Sequence, residues 1–238
     1  MLLSVVSWIV RSCFVLQFND FGACMATWIE YDTQFVRRRY NKLAPIYVAF
    51  EYVFLLPPGI RRRTVKALGL KPGNRVLEVG CGTGRNLRLL SSAVGTSGHI
   101  YGVDLSEGML GRAKALTERH QLANVTLLHE DAAAYGLPEQ VDAALFSLSY
   151  ATMPHRQQVL QHAWKQLKPG GRLVIMDARI PEGLLGKLYR PFLRLFLKLT
   201  VLGNPDVDIL QDLRELAGEI EIEMLFLETY FIGRAIKP

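Results

Sequence analysis

The stretch from Val76 to Gly84 reads VLEVGCGTG. A carboxylate, Glu78, ends a short apolar run, and Gly80, Cys81, Gly82 and Gly84 follow before Arg85 opens a helical segment. Glycines at alternate positions let the main chain turn sharply and let a ligand lie against bare backbone. A dinucleotide fingerprint of the G-x-G-x-x-G type needs a small residue where this chain has Arg85, and a P-loop needs a Gly-Lys-Ser/Thr that does not follow. Two more acids stand at comparable places. Asp104 sits in GVDLS, about 20 residues past the glycines, and Asp131 closes HED. An acid at the end of a second strand can accept hydrogen bonds from both hydroxyls of a ribose. Asp131 can accept from an adenine amino group, or can cap the helix that follows.

Alternating elements must position these acids. RVLEVG, HIYGVDL, NVTLLHED, VDAALFSLSY and GRLVIMDAR are short apolar runs that read as buried strands. Helical segments at 86–93, 107–120 and 157–167 separate them, about one unit every 25 residues. That rhythm predicts an α/β fold with a parallel sheet covered on both faces, its acids along the carboxyl edge where such sheets bind ligands. KPGG at 168–171 reads as the turn before the fifth strand, and EIEIEML with TYFIGRAI as a closing hairpin. Upstream, Pro45, Pro57 and Pro58 cut an aromatic and basic region into short helices, and 61–70 reads as one more helix.

Three acids at one edge repel a phosphate and welcome a cation. S-adenosylmethionine, with a sulfonium, an ammonium and a diol, fits them. In EVGCGTG, GVDLS, HED and LKPGG, in that order, the chain resembles the class I S-adenosylmethionine-dependent methyltransferases, in particular the ubiquinone-biosynthesis and bacterial phospholipid N-methyltransferase group. The resemblance runs from about Tyr40 to the C-terminus. It implies a Rossmann-like, seven-stranded, mostly parallel sheet with a C-terminal antiparallel hairpin and an N-terminal helical lid. It also implies that Gly80, Cys81, Gly82 and Gly84 back the methionyl part beside Glu78, and that Asp104 holds the ribose. Leu105 and Met109 then flank the adenine, Asp131 and Ala132 edge it, and Ser147 and Leu148 lie beside the cofactor. Tyr40 and Tyr47, in the stretch that resembles the lid, become cofactor contacts or core aromatics; where the family has an acid after that tyrosine, this chain has Val48.

Methyl transfer needs alignment of donor and acceptor, and a base only if the nucleophile starts protonated. Tyr150 and His155, after the fourth strand, are the candidates, with pocket filling and helix capping as their structural alternatives. Lys187, Arg190, Arg194 and Lys198 fall three, four and four apart in an otherwise apolar segment, the pattern of a helix lying in a lipid interface or of a core helix with one solvated face. Arg37, Arg38, Arg39 and Lys42, and Arg61, Arg62 and Arg63, add two basic clusters that anionic headgroups would attract. The expected enzyme is therefore a cytoplasmic protein peripherally bound to an anionic membrane, N-methylating the amine of phosphatidylethanolamine or a related lipid. The alternatives are C- or O-methylation of an isoprenoid quinone precursor or other small apolar acceptor, and a non-catalytic cofactor- or nucleic-acid-binding protein.

Composition bounds these readings. Of 238 residues, 50% are apolar and 21% charged, which excludes a disordered chain, a collagen-like repeat and a disulfide scaffold. With 28 Lys and Arg against 22 Asp and Glu, the net charge of +6 favours an anionic partner. Cys13, Cys24 and Cys81 are too few and too scattered for a metal site, and no metal is expected. The expected organisation is an apolar leader at 1–24, either membrane-lying or upstream of a start at Met25. A lid at 25–70 and a methyltransferase domain at 71–238 follow, with a basic insertion at 181–204.

Overall fold

A computed structural model describes residues 32–45, 47, 56–181, 183, 186 and 207–238. The leader and the basic stripe at 187–198 lie outside the described residues. The chain runs α1 (Thr33–Leu43), α2 (Ile60–Ala67), β1 (Arg75–Val79), α3 (Leu87–Val94), β2 (His99–Asp104), α4 (Glu107–Arg119), β3 (Val125–His129) and β4 (Val141–Ser147). A short 3-10 turn (Tyr150–Thr152) follows, then α5 (Arg156–Gln166), β5 (Leu167–Ala178), α6 (Ile209–Ala217), β6 (Glu221–Leu225) and β7 (Tyr230–Ile236). The sheet has seven strands in the order β3-β2-β1-β4-β5-β7-β6. Strands β1 to β5 are parallel, and β7 inserts antiparallel between β5 and β6. This is the Rossmann-like, seven-stranded sheet that the resemblance implied, with the parallel strands and closing hairpin that the strand pattern predicted.

Alternation along each strand sorts side chains into two layers. Leu77, Val79, Ala144, Phe146, Leu173 and Ile175 face α5 and α6, where Val159, Leu160, Ala163 and Leu213 meet them. Val76, Ala143, Leu145, Val174 and Met176 face the other way, onto Ile60 and Val65 of α2 and Leu87 and Leu90 of α3. Glu78 is two residues beyond Val76, so the same period aims its carboxylate into the α2–α3 layer, where it is 1% exposed. One expectation needs correction. KPGG is not a separate turn but an irregular part of β5, because Gly170 N–H donates to the Lys237 carbonyl at 2.8 Å and Lys237 N–H returns to Gly171 at 2.9 Å.

Asp212 on α6 ties the layer behind β4 together. Its carboxylate is buried and accepts from the Tyr150 hydroxyl (3.1 Å), Arg156 Nε (2.8 Å) and Gln157 Nε2 (3.0 Å). Removing one member of such a group strands the others. Asp212→Ala is expected to destabilise the fold by about 2–4 kcal/mol, a fall of roughly 5–12 °C in melting temperature for a chain of this size. A scanning calorimetry trace unchanged from wild type would contradict this.

Candidate active site

The carboxyl ends of β1, β2 and β4, with the turns that follow them and α1 above, enclose one cavity. At its centre Gly80, Cys81 and Gly82 turn away from β1. Gly80 and Cys81 both donate to the Val103 carbonyl, at 2.8 and 3.0 Å, which pins the loop to β2. Gly80 has a φ of 69° and leaves no room for a side chain, since a Cβ there would lie 2.6 Å from that of Ser149. Nothing lies within 4 Å of the Cβ direction of Gly82, so bare main chain faces the cavity there.

Each acid has its own surroundings. Asp104 accepts from Gly82 N–H at 2.8 Å and Ser106 N–H at 2.9 Å, so it joins the glycine loop to the start of α4. Burial raises its pKa, while those two N–H bonds and nearby His129 hold it down. Glu78 accepts one bond, from Asn86 Nδ2 at 2.6 Å, and its buried Oε2 has no partner among the described residues. Burial pushes its pKa up to about 7, against the pull of Asn86 and of Arg61. Asp131 lines the cavity and also accepts from Ala133 N–H at 2.9 Å, so the capping reading and the cavity reading both hold. Cys81 is buried, and desolvation with the charges of Asp104 and Glu78 keeps its thiol protonated.

The remaining expected cofactor contacts assemble around these acids. Tyr40, Tyr47, Leu105, Met109, Ala132, Ser147 and Leu148 line the same cavity. Tyr40 and Tyr47 are ring neighbours with centroids 6.0 Å apart, and burial raises the Tyr40 pKa beyond its usual range. Asn41 anchors α1 over the site by accepting from Ser106 Oγ at 2.7 Å and Gly108 N–H at 2.9 Å. Gly84 is the exception: it packs against Ala113 of α4 and is not among the lining residues.

Neither expected catalytic residue reaches the cavity. Tyr150 is fully buried behind the wall, edge-on to Phe146 at 5.5 Å, with its hydroxyl given to Asp212. His155 is exposed and precedes the first residue of α5 in a left-handed conformation. The basic clusters also divide, because consecutive helical residues fan out by about 100°. Arg39 is buried, Arg38 is exposed and Arg37 lines the cavity mouth; Arg61 lines the cavity while Arg63 pairs with Glu223 at 3.0 Å.

Several residues that line the cavity were not singled out in the sequence. Thr83 is 4% exposed and its hydroxyl has no partner among the described residues. Its place between two loop glycines was the available signal. Asn86, Ser149, Thr152 and Met153 also line the site, and nothing in their spacing marks them.

Comparison with known proteins agrees with this geometry. Residues 76–171 match the family model described as a methyltransferase domain. The chain is 31% identical over 185 residues to the demethylmenaquinone methyltransferase of Geobacillus sp. (strain WCH70), covering 74% of this chain and 79% of that relative. The chain belongs to the class I S-adenosylmethionine-dependent methyltransferases. Two solved structures share the fold of this methyltransferase. A SAM-dependent methyltransferase from Aquifex aeolicus superposes with a TM-score of 0.55 at 23% identity, over 77% of this chain and 95% of that one. The phosphoethanolamine N-methyltransferase 2 of Haemonchus contortus, in complex with phosphomonomethylethanolamine and S-adenosylhomocysteine, gives 0.68 at 18% identity, over 85% and 60%. S-adenosylmethionine is the cofactor of this methyltransferase.

The raised pKa of Glu78 fixes a pH dependence. A carboxyl whose folded pKa lies above its unfolded value contributes stability below the unfolded pKa, and loses it as pH rises through the folded one, here about 7. Asp104 and Asp177 (about 6) are also raised and act with the same sign, so a variant must isolate Glu78. The lowered pKa of His99 acts in the opposite sense in both proteins and cancels in their difference. From pH 5 to pH 8 the ligand-free melting temperature of wild type should lose ground relative to Glu78→Gln, by roughly the equivalent of 1–3 kcal/mol. Parallel curves for the two proteins would contradict the assignment.

Proposed function

We propose that this methyltransferase methylates a small apolar acceptor of the isoprenoid quinone precursor class, at carbon or oxygen. The carrying observation is the wall beside the glycine loop. Val36, Leu148, Met153, Pro154 and Val159 give the cavity an apolar share of its lining, and Met153 and Ser149 lie directly against Gly80. The hydroxyls of Ser149 and Thr152 already donate to backbone carbonyls, Ser149 to Val79 at 2.8 Å and Thr152 to Ser149 at 2.7 Å. Thr152 is also hydrogen-bonded to the Tyr40 side chain, so Ser149 is the one that presents acceptor lone pairs to a phenolic or enolic hydroxyl. The demethylmenaquinone methyltransferase name of the Geobacillus relative supports the same reading.

When bound, the cofactor supplies an electrophilic methyl group on a sulfonium and leaves as a neutral thioether. The residues of the chain hold and orient. Asp104 takes the ribose hydroxyls, Leu105, Met109, Asp131 and Ala132 take the adenine, and Ser147, at the end of β4, lies beside the other end of the cofactor. The orphaned Oε2 of Glu78 and the bare main chain at Gly82 fit the methionyl end. Helix α1, latched through Asn41 and carrying Tyr40, serves as the lid that excludes water. Alignment of this kind removes several kcal/mol of entropic barrier.

A second reading, N-methylation of a lipid amine such as phosphatidylethanolamine, is favoured by one observation: the exposed cations Arg37 and Arg85 at the cavity rim, which suit a phosphodiester. Peripheral attachment to an anionic membrane belongs to that reading. Among the described residues no helix is long and apolar enough to cross a membrane.

Product analysis separates the two. Purified protein with methyl-labelled cofactor should label a reduced naphthoquinone precursor, and Met153→Gln should raise the KM for that acceptor about tenfold without changing affinity for S-adenosylhomocysteine. Label found only in phosphatidylethanolamine of mixed vesicles would overturn the quinone reading.

A further inference from the structure

Arg61 was one of three consecutive arginines at the start of α2, and the fold sends it inward. Its Nη1 donates to Asn86 Oδ1 at 3.0 Å and reaches Ser147 Oγ at 3.4 Å, and its side chain lines the cavity. Asn86 in turn donates to Glu78 at 2.6 Å. A cation and an anion are therefore held apart on either side of one amide, and Oε2 of the anion is buried without a partner among the described residues. Such a couple is complementary to an α-amino-acid zwitterion: the ammonium meets Glu78 and the carboxylate meets Arg61.

Strand order locates this couple along the cavity. Asp131 follows β3, Asp104 ends β2 and Glu78 is the penultimate residue of β1, strands that are neighbours in that order, and Ser147 ends β4 on the far side of β1. With the adenosyl part toward Asp131 and Asp104, the amino-acid end falls between β1 and β4, where Arg61 stands. Most of the glycine loop is already committed, and the Thr83 hydroxyl is left as a neutral donor without a partner among the described residues, in the cavity that the charged Arg61 also lines. Gly80 and Cys81 N–H are committed to Val103, Gly82 N–H to Asp104 and Gly84 N–H to the Cys81 carbonyl. Arg37 and Arg85 are exposed at the mouth, where solvent and salt screen them.

We infer that Arg61 is the specificity residue for the carboxylate of the cofactor's amino-acid end, with Asn86 fixing its separation from Glu78. The inference rests on the cofactor reading of this cavity and adds to it a residue outside the motifs. The test is titration calorimetry of the full chain with three ligands. These are S-adenosylhomocysteine, its decarboxylated analogue (amine kept, carboxylate removed) and 5′-methylthioadenosine, which lacks both groups. Wild type should prefer S-adenosylhomocysteine over the decarboxylated analogue by roughly 30-fold. Arg61→Ala and Arg61→Gln should bind those two within about threefold of each other, while their affinity for 5′-methylthioadenosine stays at the wild-type value. Arg61→Lys should recover part of the preference. Binding of 5′-methylthioadenosine doubles as the check that each variant is folded. Equal loss for all three ligands in both variants, or a preference that survives them, overturns the role of Arg61. Wild type that binds none of the three overturns the cofactor reading itself, a result distinct from either.

Discussion

The site is organised by a buried carboxylate that must be solvated by protein. Asp104 leaves water at the end of β2, and two backbone N–H groups replace that water, one from Gly82 and one from Ser106. These bonds do more than hold a charge. They set the glycine loop against β2 and fix the first turn of α4, whose Ser106 caps Met109 N–H and also meets Asn41 of α1. Loop, helix start and lid are thus registered on one side chain. Each bond from N–H to a charged acceptor contributes about 1.5–3 kcal/mol, which offsets the entropy lost in ordering a loop whose positive φ angles at Gly80 and Gly82 only glycine adopts without strain.

The same economy of donors explains the character of the ligand. The N–H groups of Gly80, Cys81, Gly82 and Gly84 are occupied internally, and the edge carries Glu78, Asp104 and Asp131. A phosphate would meet repulsion and few donors. A sulfonium compound with an ammonium and a diol meets acceptors, and the one anionic group on it meets Arg61. The three carboxylates stand on the β1–β3 side of the edge, while Leu148, Met153 and Pro154 come from the turns after β4. Donor and acceptor molecules can then be held by different physical forces in one cavity.

Much of this was legible in the sequence because it depends on local periodicity. Short apolar runs such as RVLEV and VDAALFS, separated by helical spacing, are enough to predict a parallel sheet covered on both faces and to put Glu78 and Asp104 at strand ends. The hairpin was legible for the same reason. What escaped depends on direction around a helix or across the chain. Arg61 looked like its neighbours Arg62 and Arg63, and only packing of α2 against β5 and β7 turns it inward. Tyr150 sat at the right distance along the chain from β4, but its hydroxyl is claimed by Asp212, 62 residues later. KPGG has turn residues, yet the final residues of the chain pair with it and draw it into β5.

The central claim is that the Asp104 carboxylate, facing bare main chain at Gly82, holds the sugar of the cofactor. Calorimetric titration of S-adenosylhomocysteine into wild type and Asp104→Asn tests it most directly, with circular dichroism to show that both are folded. A loss of about 100-fold in affinity for the variant is expected from removing a charged acceptor of two hydroxyls. Affinity within threefold of wild type would contradict the account.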